Sequence, residues 1–87
     1  MTSDVRQPLK ELPFAQLAME KLVRVLGESV AKRVYADTLR EASLREIQTA
    51  DDLYRFGDRL SMKGGFAAAV GALLTVAAVV RGATAMH

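Results

Sequence analysis

The stretch from Gly64 to Val80, GGFAAAVGALLTVAAVV, decides how the rest of the chain must fold. It contains no charged residue, although the 87-residue sequence carries 12 basic and 10 acidic side chains. All of these lie at or before Lys63 except Arg81, which directly follows the stretch. A segment this apolar is unfavourable in water unless something covers it. We therefore expect it to be covered by the rest of the chain or by another molecule.

The spacing of large side chains within this stretch predicts an α-helix over residues 66–81. Apolar residues recur at intervals of three and four, and the opposite side of the helix is apolar as well. A helix that is apolar all round belongs at the centre of a fold, at an oligomer interface or in a membrane. The main stripe consists of Phe66, Val70, Leu73, Leu74, Ala77 and Val80.

Three amphipathic helices are predicted upstream, over residues 13–26, 29–43 and 50–63. Gly27 leaves open whether the first two are separate helices or one helix with a break. The third has the clearest beginning, because Thr49 can cap it and Asp52 stands three residues later, close to the capping-box pattern. Its apolar stripe is Leu53, Phe56, Gly57 and Leu60.

These four segments predict an all-α fold, a small bundle of about four short helices. The Ala/Gly/Val-rich C-terminal helix is expected at the core or at an oligomer interface, with the other three wrapped around it. A chain of this length is expected to form one domain. We assign residues 1–12 to a flexible N-terminal arm, residues 13–82 to a single helical domain and residues 83–87 to a frayed tail.

Self-association is expected, because three short helices can cover an all-apolar helix only partly in one small monomer. A twofold homodimer is the simplest arrangement, and complete coverage within one bundle is the alternative geometry. Small residues four apart allow helices to approach closely. The candidate interface residues are Phe66, Val70, Gly71, Ala72, Leu74 and Ala78.

A basic stripe on the third helix is a candidate surface for a protein partner. Arg55, Arg59 and Lys63 follow one another at intervals of four. Since basic stripes can contact phosphates, a small DNA-associated protein, nucleoid or regulatory, that binds nucleic acid non-specifically is an alternative. A helix-turn-helix reading fails because the helix in the reading position is Ala/Val/Leu and offers no groups to base edges.

A tail-anchored membrane protein is the second alternative, since Lys63 and Arg81 flank the apolar stretch near the end of the chain. The stretch has 17 residues, whereas a membrane span needs about 20. Gly64 and Gly65 also resemble a helix stop. The N-terminus has no apolar segment of the secretory type, so a cytoplasmic location is expected.

Catalysis is not expected from this sequence. Its one histidine is the last residue, it has no cysteine, and no glycine-rich phosphate-binding motif is present. Asp51 and Asp52 are adjacent and would point about 100° apart on a helix, so they do not converge on one substrate atom. We expect no cofactor, metal ion or small-molecule substrate. The sequence favours a non-catalytic protein-protein interaction or oligomerisation module.

Overall fold

The computed structural model describes residues 14–84, which form four α-helices. Within these residues there is no β-strand, so the predicted all-α bundle is confirmed. The predicted N-terminal arm, residues 1–12, lies outside the described part of the chain. The helices are α1 (Phe14–Leu26), α2 (Glu28–Glu41), α3 (Ala50–Ser61) and α4 (Gly65–Val80).

Gly27 separates α1 from α2. Its φ of +85° lies in the left-handed region, which residues with a side chain rarely adopt. The N–H of Gly27 donates to the carbonyl of Val23 at 2.9 Å, and its own carbonyl accepts from the N–H of Ala31 at 2.9 Å. One glycine therefore closes the first helix and opens the second, which answers the question that the sequence left open.

α3 begins with the Thr49 cap that the sequence predicts, but the Asp52 carboxylate binds the N–H of Gln48 and not that of Thr49, as a capping box would require. Thr49 Oγ1 accepts a hydrogen bond from the N–H of Asp52 at 3.0 Å. The Asp52 carboxylate in turn accepts from the N–H of Gln48 at 3.1 Å. The predicted stripe of α3 is also confirmed, since each of its four members is buried: Leu53, Phe56, Gly57 and Leu60.

α3 and α4 form an antiparallel hairpin, linked by Met62–Gly64, and this is the most extensive helix pair in the fold. α1 packs against both of these helices. α2 packs against α1 and α3 but makes no contact with α4. The expected central position of the C-terminal helix, wrapped by the other three, is therefore wrong. Among the four described helices, α4 packs against α1 and α3 alone.

The core receives apolar side chains from all four helices and from the loop before α3. Its largest member, Phe56, packs against Tyr35 with ring centroids 5.3 Å apart. Thr38 is fully buried, and its hydroxyl donates to the carbonyl of Val34 at 2.7 Å, so this buried polar group is satisfied. The members of the core cluster are Leu17, Ala18, Leu22, Ala31, Ile47, Leu53, Phe56, Leu60, Val70, Leu74, Ala78 and Ala83.

The chain after α4 packs back on the hairpin. The N–H of Ala83 donates to the carbonyl of Ala78 at 2.9 Å, and the Ala83 side chain is buried. The N–H of Thr84 then donates to Asp51 Oδ1 at 2.6 Å, which connects the end of α4 to the beginning of α3. Ala83 and Thr84, the first two residues of the expected frayed tail, thus both contact the helical bundle. Residues 85–87 lie outside the described part of the chain.

Candidate interaction surface

Gly57 and Gly71 allow α3 and α4 to approach until their backbones touch. A Cβ on Gly71 would lie 2.5 Å from the Ser61 nitrogen and 2.6 Å from the Gly57 oxygen. A Cβ on Gly57 would lie 2.9 Å from the Gly71 oxygen. These neighbours are backbone atoms, which cannot rotate away as a side chain can. The close crossing of the two helices therefore requires glycine at position 71.

The buried side of α4, which we call the inner face, uses four of the six predicted interface residues within the chain itself. Sequence reasoning correctly identified close packing by small residues but placed it between molecules. Of the six, only Phe66 and Ala72 are exposed. The other four are buried in the chain and are not available to a partner: Val70, Gly71, Leu74 and Ala78.

The opposite side of α4, which we call the outer face, is apolar and exposed. The exposed fraction is 73% for Phe66, 56% for Leu73, 63% for Val76 and 77% for Val80. A contiguous apolar patch on the surface of a protein commonly marks a binding site. The full outer face consists of Phe66, Ala69, Ala72, Leu73, Val76, Val79 and Val80.

Five residues of the outer face follow the spacing of a coiled coil. Phe66, Ala69, Leu73, Val76 and Val80 are separated by three, four, three and four residues. These are the intervals between the a and d positions that pack against a second helix. At about 1.5 Å per residue the strip is about 21 Å long. The natural occupant of such a strip is another helix.

The sequence did not separate the two faces of α4. It grouped the exposed Phe66 and Leu73 with the buried Val70 and Leu74, because both sides of the helix are apolar and the spacing fits either. The glycines carried the missing signal. Gly57 lies on the buried stripe of α3, so the row of α4 that contains Gly71 is the one able to approach it.

A groove between α1 and α4 adjoins the outer face and has a volume of about 280 Å³. Leu73 and Val76 belong to both the groove and the outer face. The two charged residues of the groove, Lys21 and Arg81, are both basic. The lining consists of Leu17, Lys21, Leu73, Leu74, Val76, Ala77 and Arg81.

Two members of the predicted basic stripe bind other parts of the chain. Lys63 Nζ lies 2.8 Å from Glu41 Oε1. Arg55 Nη2 donates to the carbonyl of Ala42 at 3.1 Å. Both contacts hold the end of α2 against α3. Arg59 is exposed and forms no ion pair with an acidic residue within residues 14–84. The stripe therefore offers a partner less uncompensated charge than its sequence suggests.

The polar residues around the α2–α3 loop bind one another. A cavity of about 550 Å³ is lined there by Ser43, Leu44, Arg45, Glu46, Gln48 and Asp52. Asp52 belongs to the cap of α3, and the Gln48 side chain donates to Glu46 Oε2 at 2.8 Å.

Burial raises the pKa of the Tyr35 phenol above its ordinary value of 10.0, and the negative charge of Glu46 adds to this effect. Residues 14–84 contain no group of three or more histidine, cysteine, aspartate or glutamate side chains that could hold a metal ion.

The described helices can also be compared with the thickness of a bilayer. α4 is the most apolar and has 16 residues, whereas a membrane span needs about 20. No helix within residues 14–84 combines the length and the hydropathy that a membrane span requires.

We compared the chain with protein-family models, with curated proteins and with solved structures, and none of the three comparisons found a match. The surfaces described above are therefore the basis for assigning a function.

Proposed function

We propose that this protein is a non-catalytic helical interaction module that self-associates through the outer face of α4. The observation that carries the proposal is the exposed apolar strip with coiled-coil spacing, Phe66 to Val80. Removing one Val, Leu or Phe side chain from water is worth about 1.5–3 kcal/mol when burial is complete. Covering this strip with a second helix is therefore strongly favourable.

A second copy of the chain suits the strip because the strip is complementary to itself when reversed. In an antiparallel pair, where the a positions of one helix face the d positions of the other, Phe66 lies opposite Val76 of the partner subunit, and Ala69 lies opposite Leu73 of the partner subunit. Each pair combines side chains of different size, which fills the space between the helices. No charge becomes buried, since none occurs from Phe66 to Val80. A twofold pair also closes on itself and leaves no strip free for further copies.

The inner face supports this role by fixing α4 before association. The glycine crossing at Gly57 and Gly71 and the buried side chain of Leu74 hold α4 against α3. Because α4 is already folded and held in place, association need not order it. Less conformational entropy is then lost on binding, which favours affinity.

The central test is the substitution Leu73→Glu, with mass measured by light scattering in detergent-free buffer. We expect the wild type to have the mass of two chains and Leu73→Glu the mass of one. Each dimer contains two copies of the substitution, so the dissociation constant should rise at least about 100-fold. The matched control is Val30→Glu, which places the same charge on an exposed apolar position of α2 and should remain dimeric.

A second variant, Ala69→Glu, lies on the outer face but outside the groove with α1, and it should also be monomeric. Circular dichroism should show that all three variants are folded. A folded wild type with the mass of one chain at about 1 mM contradicts the proposal, because even about 4 kcal/mol of association energy would be visible there. If the wild type is a larger oligomer and Leu73→Glu dissociates it, the outer face is still the interface, and only the proposed number of subunits changes.

A further inference from the structure

The groove between α1 and α4 combines an apolar floor with two basic side chains. Leu17, Leu74 and Ala77 contribute to the floor, and Lys21 and Arg81 are the charged residues of its lining within residues 14–84. Within residues 14–84 no acidic group forms an ion pair with Lys21 or Arg81. Two charges of one sign thus stand beside an apolar surface without compensation from the described part of the chain.

We propose that this groove binds an acidic amphipathic helix of another protein. The apolar stripe of that helix would pack between α1 and α4, and its carboxylates would pair with Lys21 and Arg81. Laying the apolar face of a helix into a hydrophobic groove is a common mode of peptide recognition. Complementary charge at the rim fixes the register and selects the partner. The volume of about 280 Å³ is just below the usual range for small-molecule pockets, about 300–1,000 Å³.

The acidic partner and a second copy compete for the same surface. Leu73 and Val76 line the groove and also belong to the outer face. Self-association, as proposed above, does not use the charges of Lys21 or Arg81. Only the competition rests on the proposed function, so the two proposals can fail separately.

The probe is a fluorescein-labelled helical peptide about five turns long, with leucines at positions i, i+3, i+4 and i+7 and glutamates on the opposite side. Its matched partner carries lysine at every glutamate position. We expect anisotropy titrations to show the glutamate peptide binding at least about tenfold more tightly. This difference is of the size given by two exposed charge pairs that change from attractive to repulsive.

Two double variants locate the binding site on the protein. Lys21→Glu with Arg81→Glu should weaken the glutamate peptide about tenfold. Arg33→Glu with Arg45→Glu makes the same change in net charge at exposed positions outside the groove and should leave affinity within about twofold. Excess glutamate peptide should also convert the wild-type dimer into a complex of one chain with one peptide.

Three results would overturn the inference. The first is equal binding of the two peptides, which would show that Lys21 and Arg81 do not select an acidic partner. The second is equal weakening in the two double variants, which would assign the effect to net charge. The third is binding to vesicles that contain phosphatidylserine, lost in the Lys21→Glu and Arg81→Glu variant, with no binding of either peptide. That result would assign the groove to a lipid surface. The mass of this double variant without peptide should stay that of a dimer, which separates this inference from the proposed self-association.

Discussion

The inner and outer faces of α4 are built from the same few residue types, yet within residues 14–84 the inner face alone is buried in the fold. On the inner face, Gly71 brings the backbone of α4 into contact with α3, and Leu74 is buried beside it. On the outer face, the large side chains of Phe66 and Leu73 are exposed. Hydropathy does not distinguish the two faces. The comparison shows that the row of small residues determines which apolar face a neighbouring helix covers.

The most severe way to break the inner face is Gly71→Leu. A Cβ at this position would meet backbone atoms at 2.5 and 2.6 Å, so α3 and α4 must separate. We expect a loss of at least about 3 kcal/mol, measured by urea denaturation, which is a large part of the stability of a domain this size. Ala72→Leu, one residue later on the outer face, is the control and should change stability by less than about 0.5 kcal/mol.

A lowered oligomer mass in Gly71→Leu would therefore not report on an interface alone, since the substitution also destabilises the fold of each chain. If Gly71→Leu and Ala72→Leu prove equally stable, the close crossing of α3 and α4 is wrong.

The adjacent residues Leu73 and Leu74 give the sharpest matched comparison of the two faces. Leu74→Ala removes a side chain that is 1% exposed and should cost about 2–4 kcal/mol, because it loses burial and leaves a cavity. Leu73→Ala removes the same atoms from the surface and should cost less than about 1 kcal/mol. Both should be measured by urea denaturation in the monomeric Ala69→Glu background, so that dissociation does not contribute. Equal costs would contradict the assignment of the faces.

The contact that connects the end of α4 to the beginning of α3 provides a smaller test. Asp51→Ala removes the acceptor for the N–H of Thr84 and an acidic group from the first turn of α3. We expect a loss of about 1 kcal/mol in urea denaturation and faster hydrogen exchange at the Thr84 amide. Asp51→Asn keeps an acceptor and should retain part of the protection. Unchanged exchange in both variants would show that the contact is absent in solution.

The smallest expected effect lies away from α4, at Tyr35 on the core side of α2. Its pKa is raised above 10.0 in the folded chain, so the unfolded phenol ionises first. The stabilisation is fully present below pH 10.0 and is lost as the pH rises above that value through the higher folded pKa. Tyr35→Phe should thus lose less stability than the wild type between pH 9 and pH 11, measured by urea denaturation. Parallel decline of both proteins would show that Tyr35 does not contribute.

Local signals in the sequence were sufficient to predict the helical segments and the beginning of α3. Thr49 and Asp52 predicted the cap of α3, and Leu53 with Phe56 predicted its buried side. Gly27 marked a boundary but not its kind, because a glycine can weaken a helix without ending it. The four-helix, all-α fold followed from these signals alone.

The position of α4 and its division into two faces could not be predicted from the same signals. Alternation between polar and apolar residues normally identifies the buried side of a helix, and α4 has none. The contact between Gly57 and Gly71 joins two helices, so it could be found only by comparing their small residues. The intrachain contacts of two basic-stripe residues, Arg55 and Lys63, could not be predicted for a similar reason, since their partners Ala42 and Glu41 are distant in sequence.

The three residues between α3 and α4, Met62–Gly64, make the hairpin of these helices a local contact, which we expect to form early in folding. Closing so short a loop costs little chain entropy, so the glycine crossing should already be formed in the transition state. Gly71→Ala should then slow refolding, whereas Leu22→Ala in α1 should mainly accelerate unfolding. On the ribosome the order of synthesis is the reverse. α1 and α2 emerge first, and their contacts with the α3–α4 hairpin can form only after the hairpin has been synthesised.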